Sequence, residues 1–267
     1  MIWAAIAVLV AVPVGVFLVR PRLKGHFKGE FQGIKTEAIL APIITLTVFL
    51  SAFVVAQATQ TYQRANQQTA AEAGAVGLMY ENASLLPGRQ GQPLQSTSVC
   101  YARSVVNYGW PAMQHLRRAP EVDHWARVQE RQITDVLGGP GSVVSQIVGL
   151  NRAETEARNQ RLYDAAPHLP ILTLVLMIGA ALGVVLFLSS FAVPDMSRRV
   201  LLTLTTVLAI LLGGTLYLVE QLEEPFTGII QVSSEPMQTV SSRLTERYAV
   251  QHRGEPLPCD AKGKPVA

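Results

Sequence analysis

Charge is scarce in this chain: Asp, Glu, Lys and Arg make up 15% of its 267 residues, against about 25% in an ordinary soluble domain. A basic surface interleaved with aromatics is also missing, since the net charge is only +3 and aromatics are 7%, so nucleic acid is not an expected partner. Two cysteines, Cys100 and Cys259, are too few for a disulfide scaffold or a zinc cluster. The five histidines, His26, His115, His124, His168 and His252, never fall three or four apart, so no helix face offers a metal a pair of imidazoles. Gly138–Ser142 (GGPGS) lacks the lysine of a phosphate loop and reads as a turn between helices. Neither a Gly-x-Ser-x-Gly elbow nor a Cys–His arrangement occurs. The expectation is a protein that is not an enzyme and holds no cofactor or metal.

What the chain has instead is apolar residue in blocks, 49% of the total. Crossing a hydrocarbon core of ~30 Å takes about 20 residues. Four stretches free of Asp, Glu, Lys, Arg and His are long enough: residues 2–19, 38–57, 169–193 and 200–219. The first has no basic segment before it and Arg20, Arg22 and Lys24 directly after it, which favours a span over a cleaved signal peptide. The expected fold class is all-α, an integral membrane protein with four transmembrane helices and a helical extramembrane domain between spans two and three. The expected division is 1–58 (spans one and two with a basic loop), 59–168 (helical domain), 169–222 (spans three and four) and 223–267 (exit loop, amphipathic helix and tail).

Basic residues give the orientation. Arg20, Arg22, Lys24, Lys28 and Lys35 lie between spans one and two, and Arg198 and Arg199 between spans three and four. They outweigh Arg64, Arg152, Arg158 and Arg161 on the other side, which puts the middle domain and the tail outside the cytoplasm of a plasma (inner) membrane. Cys100 and Cys259 then share one extracytoplasmic side, where a bridge can form. A disulfide and two separate buried thiols both remain open at this point.

Helical spacing prevails in the middle region. Span two continues without a breaker until Pro87 and Gly88; a second helix covers residues 94–116, bent at Trp110 and Pro111. A third opens on Pro120 and ends at Gly138 and Gly139; a fourth runs over 142–166. Asn82-Ala83-Ser84 matches a glycosylation sequon but falls in the first of these helices.

Two stretches stand out as candidate sites. Span two is polar for a span, and its Thr45, Phe49 and Phe53 recur every four residues along one helix face. That stripe suits either a pore lining with an aromatic constriction or packing against lipid and neighbouring helices. After span four comes LEEPFTG, in which Glu223 and Glu224 are expected to mark the aqueous interface, Pro225 to stop the helix, Phe226 to dock the exit loop and Gly228 to allow a tight backbone path. Ser233 or Ser234 with Pro236 then starts a helix whose apolar face is Met237, Val240, Leu244 and Tyr248.

The order of these features resembles the bestrophin-like family of bacterial membrane proteins, over about residues 38–239. The matching residues are Glu72 with Ala73, Leu86 with Pro87, YARSVVNYGWPAM around Tyr101, Trp110 and Pro111, Arg158, Arg161 and Leu162 before Pro170, and Pro225, Phe226 and Gly228. The chain departs from the pattern at Gly109, where an acid usually precedes Trp-Pro, and at Glu224, where Asp is common. The resemblance implies kinship with bestrophins, pentameric ion channels with four spans per subunit and a pore neck of apolar residues four apart on the second span. Phe49 and Phe53 match that spacing, with Thr45 in the third place. The implied partners are further copies of the chain, membrane lipid and small ions. Bestrophins keep the region between spans two and three in the cytoplasm, whereas the basic loops here place it outside; the orientation drawn from this chain's own charges is retained.

Overall fold

The structure is a computed structural model that describes residues 36–166, 169–191 and 198–266. Span one and the basic loop after it lie outside the described residues. The described part is all-helical: α1 (Thr36–Ala83), α2 (Gln92–Ser104), a π-helical turn (Val105–Gly109), α3 (Trp110–Met113), α4 (Pro120–Asp135), α5 (Gly141–Asp164), α6 (Ile171–Phe191), α7 (Arg198–Glu223) and α8 (Glu235–Gln251). Two of these, over Ala41–Ala83 and Leu202–Glu223, are long and apolar enough to cross a membrane, and Ile171–Val185 is a shorter apolar helix. The stretches expected as spans two and four therefore coincide with the two long apolar helices, in α1 and α7, and the stretch expected as span three overlaps the shorter one, α6.

The chain divides into two compact units, one within Met1–Gln60 and His168–Glu223, the other Thr61–Pro167 and Glu224–Ala267. This corrects the expected division in one respect. The exit loop, α8 and the tail do not stand apart but fold with the middle helices into one core. α1 contributes to both units; its 48 residues make a rod of about 72 Å at 1.5 Å per residue.

In the first unit α6 packs on α7. On the portion of α1 that belongs here, Thr47, Val54 and Ala58 are buried, at i, i+7 and i+11, which defines one inward face. The Thr47 hydroxyl is spent on the Ile43 carbonyl at 2.8 Å. The opposite face stays exposed.

The second unit has its core where α1, α2, the π turn, α4 and α8 meet, built on Val76, Tyr80, Val99, Tyr101, Val105, Val122, Trp125 and the α8 stripe Met237, Val240, Leu244 and Tyr248. That stripe is the predicted one, since residues three and four apart share a helix face. A second cluster joins Met79, Leu86, Leu94, Ile133, Val136 and Ile147 at the other end of α4 and α5. The helix expected over 94–116 is shorter and broken: it ends at Met113 and passes through a π turn just before Trp110 and Pro111. The physical reason is Pro111, which has no N–H to continue the ladder and crowds the preceding turn; a π turn absorbs the extra residue without ending the helix. α1 stops at Ala83, a few residues before the expected breaker.

The tail is sewn to this core. Cys100 and Cys259 form a disulfide, with Cα atoms 5.8 Å apart. Around it, Cys259 and Pro265 form an antiparallel bridge, Trp125 Nε1 donates to the Gly263 carbonyl at 2.6 Å, and Arg103 Nη1 donates to the Asp260 carbonyl at 3.0 Å. Asp260 Oδ1 accepts the Lys262 and Lys264 amides at 2.9 and 2.8 Å. Gly263 has φ +89°, and a Cβ there would sit 2.4 Å from Ser104 N; only glycine fits.

Candidate functional site

The exposed face of α1 in the first unit carries the span-two stripe. Phe49 is 72% exposed and Phe53 50%. Thr45 is exposed too, with its hydroxyl turned back onto the Ala41 carbonyl at 2.9 Å. At 100° per residue these three lie roughly opposite Thr47, Val54 and Ala58. Among the described residues the stripe therefore faces away from the core of the first unit and presents two aromatic rings and one internally satisfied hydroxyl outward. Leu46 and Val48 beside it are exposed as well. An apolar surface of this kind is stable only against lipid, a gas-like constriction or another subunit.

At the end of α7 the predicted boundary behaves differently from expectation. Glu223 does not face water: it is 5% exposed, and its Oε2 accepts the Leu169 amide at 2.9 Å. That bond ties the end of α7 to the Leu169–Pro170 segment that leads into α6. In the second unit, Glu224 Oε2 accepts the Thr227 hydroxyl at 2.8 Å, and the Val232 amide donates to the Pro225 carbonyl at 2.7 Å. Gly228 takes φ +77° at the turn of this loop. Phe226, 2% exposed, enters a cluster with Ala65, Met113, Ala165 and Val232 and meets the Trp110 ring edge-on at 5.7 Å between centroids. It docks against its own chain. Ser233 Oγ accepts the Glu235 amide at 3.0 Å, so the turn before α8 is closed by Ser233, while Ser234 holds the cap position with its Oγ accepting from Gln238 Nε2 at 2.7 Å rather than from a backbone amide.

Residues scattered from Glu72 to Phe226 in the sequence converge inside the second unit. Arg161 and Glu72 pair at 2.6 Å (Nε to Oε2) and 3.0 Å (Nη2 to Oε1), both fully buried. Tyr101 donates to Glu72 Oε1 at 2.7 Å. The third side of the guanidinium is closed by Met113, Sδ to Nη1 3.1 Å, and its face lies 5.1 Å from the Trp110 ring centroid, a cation–π contact strengthened by exclusion of water. Trp110 in turn carries Phe226. A buried arginine is tolerable only when so fully matched, because an unpaired charge in the interior costs several kcal/mol.

Next to this pair lies a second buried acid that sequence spacing did not single out. Glu154 accepts Gln129 Nε2 at 2.6 Å, and Gln129 also reaches Asn151 Oδ1 at 3.3 Å. Burial pushes the Glu154 carboxyl up to about 7, with the Glu72 charge adding to it and Gln129, Arg158 and Tyr101 opposing. The same desolvation and the same two carboxylates hold the Tyr101 phenol well above its usual range. The available signal was the α5 stripe Ile147, Glu154, Arg161, which recurs every seven residues on one face. Among the described residues no group of His, Cys, Asp or Glu is arranged to hold a metal.

The model of the bestrophin-like domain matches residues 6–237. A bacterial bestrophin homologue from Klebsiella pneumoniae, solved by zinc phasing, is 12% identical with a TM-score of 0.69, covering 92% of this chain and 98% of that one. A mutated form of a Klebsiella pneumoniae bestrophin homologue gives 11%, 0.69, 92% and 98%. A further structure, described as a membrane protein, is 11% identical with a TM-score of 0.67, over 96% of this chain and 99% of that one. At such identities the likeness establishes the fold. None of the curated proteins matches the chain. With 232 of 267 residues inside the family model and the family's Glu, Tyr, Trp-Pro, Arg and Pro-Phe positions meeting in one buried cluster, the chain is a membrane protein that belongs to the bestrophin-like family.

Proposed function

We propose that the protein is a homo-oligomeric, channel-like membrane protein that passes small ions, with span two lining the pathway. The observation that carries this is the outward stripe of Thr45, Phe49 and Phe53 on a helix whose opposite face is buried. In a closed ring of subunits, such stripes face one another and narrow the axis with aromatic rings, which gate by excluding water. Five copies are the number the bestrophin fold suggests. Glu72 and Glu154, the acids that folding brings together in the second unit, are engaged with Arg161 and Gln129, and we assign the chain no enzymatic role.

We place the helical unit outside the cytoplasm. The basic residues flanking the spans support that side, and so does the Cys100–Cys259 disulfide, because such bonds persist in oxidising compartments.

Planar-bilayer recording of the purified protein tests the channel. Conductance under an ion gradient is expected, and Phe49→Ala and Phe53→Ala should each alter it. Silence under every gradient together with a monomeric mass in mild detergent would instead favour a scaffold that binds an envelope partner; conductance indifferent to both substitutions would remove span two from the pathway.

A further inference from the structure

Glu154 lines a pocket of about 300 Å³ between α4 and α5, although its own side chain is 2% exposed. Exposed Arg127 and Glu130 stand at the rim, with Asp123 from α4 and Asn151, Thr155 and Arg158 from α5 around it. From α1 the group facing Glu154 is Glu72, and from α2 it is Tyr101. The hydrogen-bond count at this spot is unusual. Glu72 is already served by both Arg161 donors. Tyr101 has a single O–H and gives it to Glu72 Oε1 at 2.7 Å, which leaves Glu154 one short hydrogen bond, from the neutral Gln129 amide at 2.6 Å. One proton cannot serve two carboxylates.

A neutral Glu154 is satisfied by that amide. An ionised Glu154 needs a further donor. One is at hand in the same pocket: Arg158, whose Nε and Nη1 are buried without a hydrogen-bond partner. The charge of Arg158 already faces Tyr101, Glu154, Glu72 and Asp123.

We propose that the Glu154 carboxyl is a proton-binding site of the helical unit, with Arg158 as the group that turns to it when the proton leaves. The step is a simple dissociation. The O–H bond of Glu154 breaks, the proton passes to water through the pocket, and the electron pair stays on a carboxylate that Arg158 then solvates. Buried acids near a single neutral donor bind protons far more tightly than exposed ones, in line with the direction found for Glu154. The site stands whether or not the chain conducts ions.

Infrared difference spectra of the full-length protein in detergent, titrated between about pH 5 and pH 9, test it. A protonated-carboxyl band should disappear as pH rises, and Glu154→Gln should abolish it. Arg158→Gln should raise its midpoint by about one pH unit, since a nearby positive charge favours the carboxylate. Glu72→Gln should lower it. A band that survives Glu154→Gln, a carboxyl already ionised throughout the range, or a midpoint unmoved by Arg158→Gln would each overturn the proposal. Should Glu154→Gln fail to fold, the parent titration and the Arg158→Gln shift, on a half-buried side chain, still decide it.

Discussion

Removing the Cys100–Cys259 bond is the perturbation whose size can be worked out most directly. The bridge closes a loop of 159 residues, and the chain-entropy estimate for that length is about 5 kcal/mol. That figure is an upper bound here, because the unfolded chain within the loop keeps residual structure and is not a free coil. Noncovalent anchors survive as well: the Trp125–Gly263 bond, the Arg103–Asp260 bond and the Asp260 turn. The expected loss for Cys259→Ala, or for Cys100→Ala, is therefore about 2–4 kcal/mol. Thermal unfolding of the detergent-solubilised protein should show a lower midpoint for both variants, and reductant should lower the parent to the same level while leaving the variants unchanged. Alkylation followed by mass measurement without reductant supplies the second readout. Two free thiols in the parent, or variants as stable as the parent, would refute the role assigned to the bond.

Other perturbations follow from the same core. Arg161→Met should cost about 3–5 kcal/mol by stranding Glu72 in the interior, and Glu72→Gln with Arg161→Met should recover much of it in urea unfolding. Phe226→Ala should lose about 3–5 kcal/mol, and because the ring packs on Trp110 of its own chain, light scattering should show the assembled mass retained in whatever remains folded. Gly263→Ala places a Cβ against Ser104 at a positive φ, so limited proteolysis should release the tail several-fold faster than in the parent. Glu154 makes the helical unit pH-dependent: its folded value of about 7 lies above that of an unfolded glutamate, about 4.3. The stability it lends is complete below the lower value and is lost as pH rises through the upper one, up to about 4 kcal/mol in all. Denaturation at pH 5 and pH 8 should differ in the parent and converge in Glu154→Gln.

Much of the architecture was legible because it rests on local signals. Uncharged runs mark α6 and α7, Pro120 and Gly138 bracket α4, and the Met237-Val240-Leu244-Tyr248 spacing gives the face that α8 buries. What could not be read was where charged residues go. Glu223 follows a long apolar run and looks like a step into water, yet it is turned inward, where the Leu169 amide just ahead of α6 takes it as acceptor. Glu154 and Arg161 make α5 look polar on every side, since its buried stripe mixes Val144 and Ile147 with an acid and a base. Periodicity identifies a core face only while that face is apolar; a salt bridge between α1 and α5 joins residues 89 positions apart, and no local pattern records such a partner. Resemblance to a family supplied what spacing did not, by naming Glu72, Tyr101, Trp110, Arg161 and Phe226 without saying that they touch.

Orientation is where the fold and the chain's own chemistry part. A bundle with an even number of spans inserts with equal ease either way, because its apolar faces meet the same hydrocarbon in both. Fold likeness at 12% identity therefore carries no information about side. Flanking charge does, and so does the redox state of a cysteine pair. Cys100 and Cys259 belong to the same unit, on α2 and in the tail, and in a cytosol rich in reduced glutathione that bond would have to be unusually resistant to survive. With the helical unit on the extracytoplasmic side, the bond needs no such protection, and the pocket of Glu154 opens to the pH outside the cell rather than to a buffered interior. A pentamer built this way would present its proton site to the environment, and the same titration performed on sealed vesicles of known orientation distinguishes the two sides by which bath moves it.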